Sequence, residues 1–196
     1  MESCGKKMRV NWMPLQPALS WKIGCSLSVI RGFPPISRAD ARVLVLGSMP
    51  SRESLTQQRY YAHPRNGFWP LITDLFELKG TDYARWVEQL KQHRVAVWDV
   101  LRTCFRTGSL DSDIDERTIV TNDFQEFFAG HSKIRRIFFN GAKAESIYLK
   151  HVLPKLEAGC ASHELRRLPS TSPAHAALSL EQKTAAWAAL LERASG

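Results

Sequence analysis

The sequence predicts an α/β protein, a three-layer α/β/α sandwich around a central, mainly parallel four-stranded sheet. Two observations carry this prediction. Four short apolar runs along the 196-residue chain have the composition of strands that are covered on both faces. Between and after these runs, apolar residues recur at the three- and four-residue spacing of helices that bury one face. Strands that alternate with helices are typical of a parallel sheet with a helical layer on each side.

The four strands are predicted in order along the chain. The first and densest run, residues 42–46, reads RVLVL and ends at Gly47. The second is residues 95–98, the third is residues 135–139, and the fourth and weakest is residues 164–168. Because the runs are short and end at turn-forming residues, strands explain them better than helices do.

Five helices are predicted from the apolar spacing. Thr81 is the expected N-cap of the second helix, and Ser179 with Gln182 forms a capping box at the start of the last. The third is a short phenylalanine stripe that ends at Gly130. The expected helices cover residues 68–76, 83–90, 124–128, 141–152 and 179–194.

One domain accounts for most of the chain. Residues 1–30 show no clear period, and we expect an N-terminal extension that could be flexible, followed by a single domain over residues 31–196. A signal peptide is not expected, because prolines and Lys22 interrupt the mildly apolar stretch near the start. No apolar run approaches the ~20 residues needed to cross a bilayer, so we expect no membrane partner and a cytoplasmic location, associated with the nucleoid if the source is bacterial.

Charge and cysteine content limit the function classes. The net charge of +8 favours a polyanionic partner, although residues 1–38 carry +5 of it and the remaining chain is only mildly basic. The cysteines lack the close spacing of zinc or iron–sulfur ligands, so we expect free thiols, no metal and no cofactor. The four are Cys4, Cys25, Cys104 and Cys160.

The chemistry is expected at the carboxyl ends of the strands, where open α/β sheets bind their ligands. Small, polar or turn-forming residues follow each predicted strand: GSMPS at 47–51, Asp99-Val100, Asn140-Gly141, and PSTSP at 169–173. Each of these could be an ordinary strand-ending turn, and for Asp99 we expect a turn-capping role. Four of them on one edge favour a site.

Residues 60–70, with the sequence YYAHPRNGFWP, combine aromatic rings, a cation and an amide directly before a helix. Phe68 and Trp69 are expected in the core. Tyr61 and Asn66 suit the recognition of a flat heterocycle, which needs a stacking surface and polar groups for its edge. The alternative is that Asn66 only caps the helix.

Together these motifs resemble the uracil-DNA glycosylase superfamily. GSMPS at 47–51 followed by YYAHPRNGFW at 60–69 looks like its first motif, and LPSTSPA at 168–174 looks like the loop that penetrates DNA. The hypoxanthine-DNA glycosylases, also called DNA-deoxyinosine glycosylases, are the most similar family over about residues 32–190. Further matching segments are residues 97–100, 108–113 and 138–141.

The resemblance implies site roles by matching position. The catalytic residues would be Asn66 and Asn140. The base-binding residues would be Gly47, Ser48, Met49, Tyr61 and Phe68. The DNA-binding residues would be His63, Ser170, Thr171, Ser172, Pro173 and His175.

Two positions depart from related patterns. Met49 stands where mismatch-specific uracil/thymine glycosylases have a water-activating asparagine, and a thioether cannot activate water. The hypoxanthine-acting family also lacks that asparagine, which moves the expected chemistry to Asn66 and Asn140. His175 stands where the family pattern has an asparagine.

The resemblance implies a monomeric DNA repair enzyme that hydrolyses the bond between a deaminated base, first of all hypoxanthine, and its deoxyribose. No lysine lies in the motifs, so simple hydrolysis without a Schiff base is expected. Two alternatives stay open: a glycosylase for uracil or for several deaminated bases, and a lesion-binding module without catalysis. A nucleotide-binding enzyme is disfavoured because the loop after the first strand lacks a glycine-rich phosphate cradle.

Overall fold

The protein is described by a computed structural model that covers residues 29–108, 110–157 and 162–192. Most of the expected N-terminal extension lies outside the described residues. The strands are β1 (Val29–Arg31), β2 (Val43–Gly47), β3 (Val95–Asp99), β4 (Leu101–Phe105), β5 (Val120–Thr121), β6 (Arg136–Asn140) and β7 (Glu164–Leu168). The helices are α1 (Arg52–Gln57), α2 (Phe68–Leu75), α3 (Tyr83–Gln92), α4 (Phe124–Gly130), α5 (Ala142–His151) and α6 (Leu180–Trp187).

The central sheet confirms the prediction of four parallel strands in an α/β/α domain. Its order is β3-β2-β6-β7, and every neighbouring pair is parallel. The central strand β2 is buried along its whole length, as its apolar composition requires. Gly47 pairs with Asp99 and Asn140 pairs with Leu168, so all four strands end at one edge.

A second, antiparallel sheet was not predicted from the sequence. It has the order β1-β4-β5, and β4 begins directly after β3 with only Val100 between them. The backbone N–H of Val100 donates to the carbonyl of Gly47, so the chain turns at the carboxyl edge of the main sheet. The segment after β4 then returns to that edge, where Arg106 donates to the carbonyl of Pro50 at 2.6 Å.

The helices differ from the sequence prediction at three places. α1 was not predicted because it is short and mostly polar; Ser51 caps it by accepting from the N–H of Ser54. The N-cap of α3 is Asp82, not Thr81, because the Asp82 carboxylate accepts from the N–H of Arg85. α6 ends at Trp187, earlier than expected, and continues as a single 3₁₀ turn.

The core lies on both faces of the central sheet, and aliphatic side chains fill it together with phenylalanine and tryptophan. Trp187 of α6 is fully buried and packs edge-on against Phe68 of α2. This contact joins the last helix to the segment that contains Asn66. Within the described ranges, none of the helices has the length and apolar character that crossing a membrane requires.

Candidate active site at the carboxyl edge of the sheet

A cleft of about 570 Å³ opens where the four parallel strands end. Its volume lies within the range of roughly 300–1,000 Å³ that is typical of small-molecule sites. Most of the site residues predicted from the sequence line it. These are Gly47, Ser48, Met49, Tyr61, Asn66, Asn140, Ser170, Thr171, Ser172 and His175.

Three predicted site residues are not among those that line the cleft. Phe68 is fully buried and supports one wall of the cleft from behind, through its stacking on Tyr61. Pro173 is half-buried in the loop after β7. The imidazole of His63 accepts a hydrogen bond from the N–H of Arg65 at 3.1 Å, which shapes the turn before α2.

The loop after β2 approaches its neighbours too closely for a side chain at Gly47. A Cβ there would clash with Oδ1 of Asp99 and would lie 3.0 Å from the hydroxyl of Tyr61. The next residue, Ser48, donates a 2.5 Å hydrogen bond to Asp111. Asp111 comes from the segment after β4, so this bond draws a second acidic side chain into the cleft.

Tyr61 forms an aromatic wall of the cleft. Its ring stacks on Phe68 with 4.0 Å between centroids and 24° between planes. Its backbone is left-handed, with φ at +55°, a conformation that non-glycine residues adopt rarely. The hydroxyl is buried and makes no hydrogen bond of standard geometry. Burial raises the pKa of Tyr61, as does the carboxyl of Asp99, and the nearby amide of Asn140 opposes this rise only in part, so the hydroxyl stays protonated.

Asp99 lies at the floor of the cleft, and the turn-capping role expected for it is wrong. Its side chain is buried, with only 3% of the residue exposed, and Oδ2 makes no hydrogen bond. Burial, reinforced by the charge of Asp111, raises the pKa of Asp99 to about 8, and Arg106 opposes this shift. Sequence reasoning missed this residue as a site candidate, although its place at a strand end was a signal.

Asn66 precedes Gly67, the N-cap of α2, and lines the cleft. Its side-chain oxygen accepts from the N–H of Phe68 at 3.0 Å, which holds the first turn of α2. The adjacent Gly67 donates its N–H to the carbonyl of Thr171 at 3.0 Å. The start of α2 is therefore tied to the loop after β7, and the amide of Asn66 is fixed at the cleft surface.

Asn140, at the end of β6, holds the loop after β7 through its side-chain amide. Its side-chain oxygen accepts from the N–H of Thr171 at 2.8 Å, and its Nδ2 donates to the hydroxyl of Thr171 at 2.9 Å. The next residue, Gly141, has a φ of +98° and would press a Cβ against Ser170, so glycine is required there. Both polar ends of Asn140 are thus engaged with the loop.

The loop of residues 169–175 is braced from several sides. Ser170 accepts from the N–H of Ser172, and α6 adds two bonds from outside the loop. Lys183 donates to the carbonyl of His175 at 2.7 Å, and the indole N–H of Trp187 donates to the carbonyl of Pro169 at 2.9 Å. The loop is therefore held in one shape before any ligand arrives.

The cleft offers amides, hydroxyls and carboxyls, which suit the recognition of a polar heterocycle and the positioning of a water beside it. One lysine, Lys143, also lines it, and this residue forms an ion pair of 2.7 Å with Glu116. In the ranges that the structure describes, no three His, Cys, Asp or Glu side chains gather as a metal site would require. Cys104 is buried as a free thiol, while Cys4, Cys25 and Cys160 lie outside those ranges.

Comparison with known proteins reveals close relatives over most of the chain. A family model described as the uracil DNA glycosylase superfamily matches residues 34–191. A protein from Methanosarcina acetivorans named hypoxanthine DNA glycosylase is 40% identical over 116 residues, which are 58% of this chain and 72% of that protein. A Methanosarcina barkeri protein of the same name is 30% identical over 165 residues, covering 83% of this chain and 98% of its own.

A solved structure shares the fold. It is a solution NMR structure of a Methanosarcina acetivorans protein described as a candidate uracil DNA glycosylase. The two chains are 33% identical and superimpose with a TM-score of 0.67 over 84% of this chain and 100% of that one.

Proposed function

The chain belongs to the uracil-DNA glycosylase superfamily, and from this premise we propose that it is a DNA glycosylase that releases hypoxanthine by adding water across the N-glycosidic bond. Two relatives named hypoxanthine DNA glycosylase, 40% and 30% identical, support hypoxanthine as the preferred base. We also propose that the protein acts on DNA as a monomer.

The observation that carries this proposal is the convergence of Asn66, Tyr61 and the loop of residues 169–175 on one cleft. A glycosylase needs a stacking surface for an extruded base, a polar group beside the sugar and a surface for the DNA backbone. Tyr61 supplies the first, supported from behind by Phe68. Asn66 supplies the second, and the braced loop supplies the third.

Breaking the bond leaves positive charge on the sugar and negative charge on the base. The DNA phosphates can stabilise the sugar cation, so the protein needs to position a water and to stabilise the base. The oxygen of Asn66 accepts from the N–H of Phe68 and keeps a second lone pair with which it can hold a water. Met49, which also lines the cleft, has no group able to do this.

The loop after β7 is the proposed DNA contact. Ser170, Ser172 and His175 lie at the cleft, and short hydroxyls and backbone amides suit phosphate oxygens. Thr171 is only 2% exposed and is bound on both sides by Asn140, so it shapes the loop more than it contacts DNA. A loop that is already rigid loses little conformational entropy on binding.

A glycosylase panel tests the proposal. Duplex and single-stranded oligonucleotides that contain one inosine, uracil, xanthine or ethenoadenine are incubated with the protein, and free base is measured. Hypoxanthine release should be fastest, the backbone should break only after alkali, and a chelator should have no effect. Faster release of uracil would overturn the base assignment, and release of no base from any substrate would overturn the proposed function.

A further inference from the structure

We infer that Asp99 contacts the departing base directly and donates a hydrogen bond to its polar edge as a neutral carboxylic acid. This inference rests on the proposed function and adds to it a residue of the base pocket. Two buried polar atoms in the same part of the cleft support it: Oδ2 of Asp99 and the hydroxyl of Tyr61. Neither atom makes a hydrogen bond of standard geometry in the folded protein.

The geometry places both groups at the same point of the cleft. A carbon added at Gly47 would clash with Oδ1 of Asp99 and would lie 3.0 Å from the Tyr61 hydroxyl, so the carboxyl that carries Oδ2 and this hydroxyl are close neighbours. Both residues line the cleft. Buried polar atoms without partners cost free energy and are rare in folded proteins, so a pair of them in one cleft marks where a ligand completes the bonding.

The surroundings of Asp99 favour its protonated form. Tyr60 and Tyr61 are neutral phenols, and the nearby Asp111 is a second acid, which opposes another negative charge. Arg106 is the facing cation, but its guanidinium donates to the carbonyl of Pro50. Burial and Asp111 together raise the pKa of Asp99 to about 8, so the carboxyl carries its proton at pH 7.

A neutral acid suits the chemistry at this position. When the bond between C1′ of the sugar and the base nitrogen breaks, the electron pair goes to the base, which a carboxylate would repel and an O–H group would stabilise. The carboxyl can also accept from a ring N–H next to a carbonyl, as hypoxanthine presents. The added water loses one proton and the base gains one, so the acid shares its proton without consuming it.

Three variants test the inference in single-turnover base release from inosine-containing duplex. Asp99→Asn keeps a donor and the shape of the acid but cannot ionise. It should retain the pH 7 rate within roughly fivefold, whereas Asp99→Ala should lose about 10²-fold, as expected for one preorganised donor. Asp111→Asn removes the neighbouring charge and lowers the pKa of Asp99.

The pH profile separates direct contact from a structural role. The wild-type rate should fall as the pH rises through about 8, and this fall should be absent in Asp99→Asn. In Asp111→Asn it should move to lower pH. Any decline from ionisation of the base itself is common to all four proteins, so only the difference between them reports on Asp99.

Each alternative result is distinct. An Asp99→Asn variant that is folded but as slow as Asp99→Ala would mean that Asp99 acts as a carboxylate, and the inference would be wrong. An unchanged alkaline decline in Asp99→Asn, or a full rate in Asp99→Ala, would equally overturn it. If Asp99→Ala does not fold, the rate of Asp99→Asn and its pH profile still test the inference. Failure of the wild type to release hypoxanthine at pH 7 would refute the proposed function instead.

Discussion

Two walls of the cleft differ in how completely their polar groups are bonded. On the loop wall, formed by Asn140 and residues 169–175, the amide of Asn140 is bonded at both ends and the backbone is tied to α6. On the strand wall, formed by Tyr61 and Asp99, one buried oxygen of each residue makes no hydrogen bond of standard geometry. The two walls face the same space at the same edge of one sheet.

The difference separates two roles. Groups that already have partners hold the shape of the loop, and they can offer a ligand only the lone pairs and N–H groups that those bonds leave over. Groups without partners are costly in the empty protein and gain a bond only when a ligand arrives. We therefore expect changes on the loop wall to act on stability and DNA binding, and changes on the strand wall to act on the base.

Asn66 is the residue that could break this comparison, because its oxygen has a partner and we nevertheless propose it as catalytic. Asn66→Ala should slow single-turnover base release by about 10²-fold or more, since it removes the group that holds the water. The lost cap should cost only about 1 kcal/mol of stability. Asn66→Asp is the matched control for the cap, because a carboxylate accepts from the same N–H. A near-normal rate for Asn66→Ala with a lowered melting temperature would leave Asn66 as a cap only.

The buried carboxyl of Asp99 should destabilise the wild-type protein, and the pH dependence of the free energy of unfolding measures this effect. Asp99 has a folded pKa of about 8 against 3.8 for an ordinary aspartate, so its contribution to stability is complete at acid pH and is lost as the pH rises to about 8. Asp99→Asn removes this loss and should stabilise the protein at pH 7 by a few kcal/mol, because each tenfold change in proton affinity between the folded and unfolded chain is worth about 1.4 kcal/mol. In urea unfolding, the gain should grow from pH 5 to pH 8 and then level off. A gain that is constant with pH would contradict the assignment.

A substitution on the loop wall should lower the stability of the protein, whereas Asp99→Asn on the strand wall should raise it. Asn140→Ala leaves the buried N–H of Thr171 without an acceptor, which should cost about 1–3 kcal/mol of stability and weaken DNA binding as the loop loosens. Asn140→Asp keeps the acceptor, and the hydroxyl of Thr171 can turn to donate to it, so it should remain close to wild type in both measurements. Unchanged DNA affinity in Asn140→Ala would show that the loop does not contact DNA.

The smallest effect compares two neighbouring tyrosines. Tyr60→Phe removes a hydroxyl that donates to the carbonyl of Pro34 at 3.2 Å and should cost about 1 kcal/mol. Tyr61→Phe removes a hydroxyl without such a bond, so stability should stay the same or rise slightly, while base release falls severalfold. Melting temperatures and rates of the two variants give the result, and equal destabilisation by both would remove the distinction between the walls.

The regular part of the fold was predictable because buried strands and amphipathic helices have a period that local sequence shows. All four strands of the central sheet lie within two residues of their predicted bounds. β4 was not recognised, because Leu101–Phe105 mixes buried and exposed residues and continues directly from β3. α1 has too few apolar residues to show a helical period.

The residues that line the cleft were largely predictable, but their bonding was not. Strand ends and motif spacing placed Asn66, Tyr61 and Asn140 at the cleft. A strand-ending aspartate usually caps a turn, and only the folded structure shows that Oδ2 of Asp99 has no N–H to accept from. The bond between Ser48 and Asp111 spans 63 residues of sequence, so no local pattern could reveal it.

Because α6 anchors the loop wall, the two walls of the cleft are completed at different times as the chain is synthesised. Tyr61 and Asn66 leave the ribosome before the loop, which follows about a hundred residues later. The side chains that fix its backbone, Lys183 and Trp187, come later still. A nascent chain that is still short of Trp187 would have the strand wall without a rigid loop opposite it. The enzyme should therefore gain its hold on damaged DNA only after the segment with Lys183 and Trp187 has emerged, later than Tyr61 and Asn66.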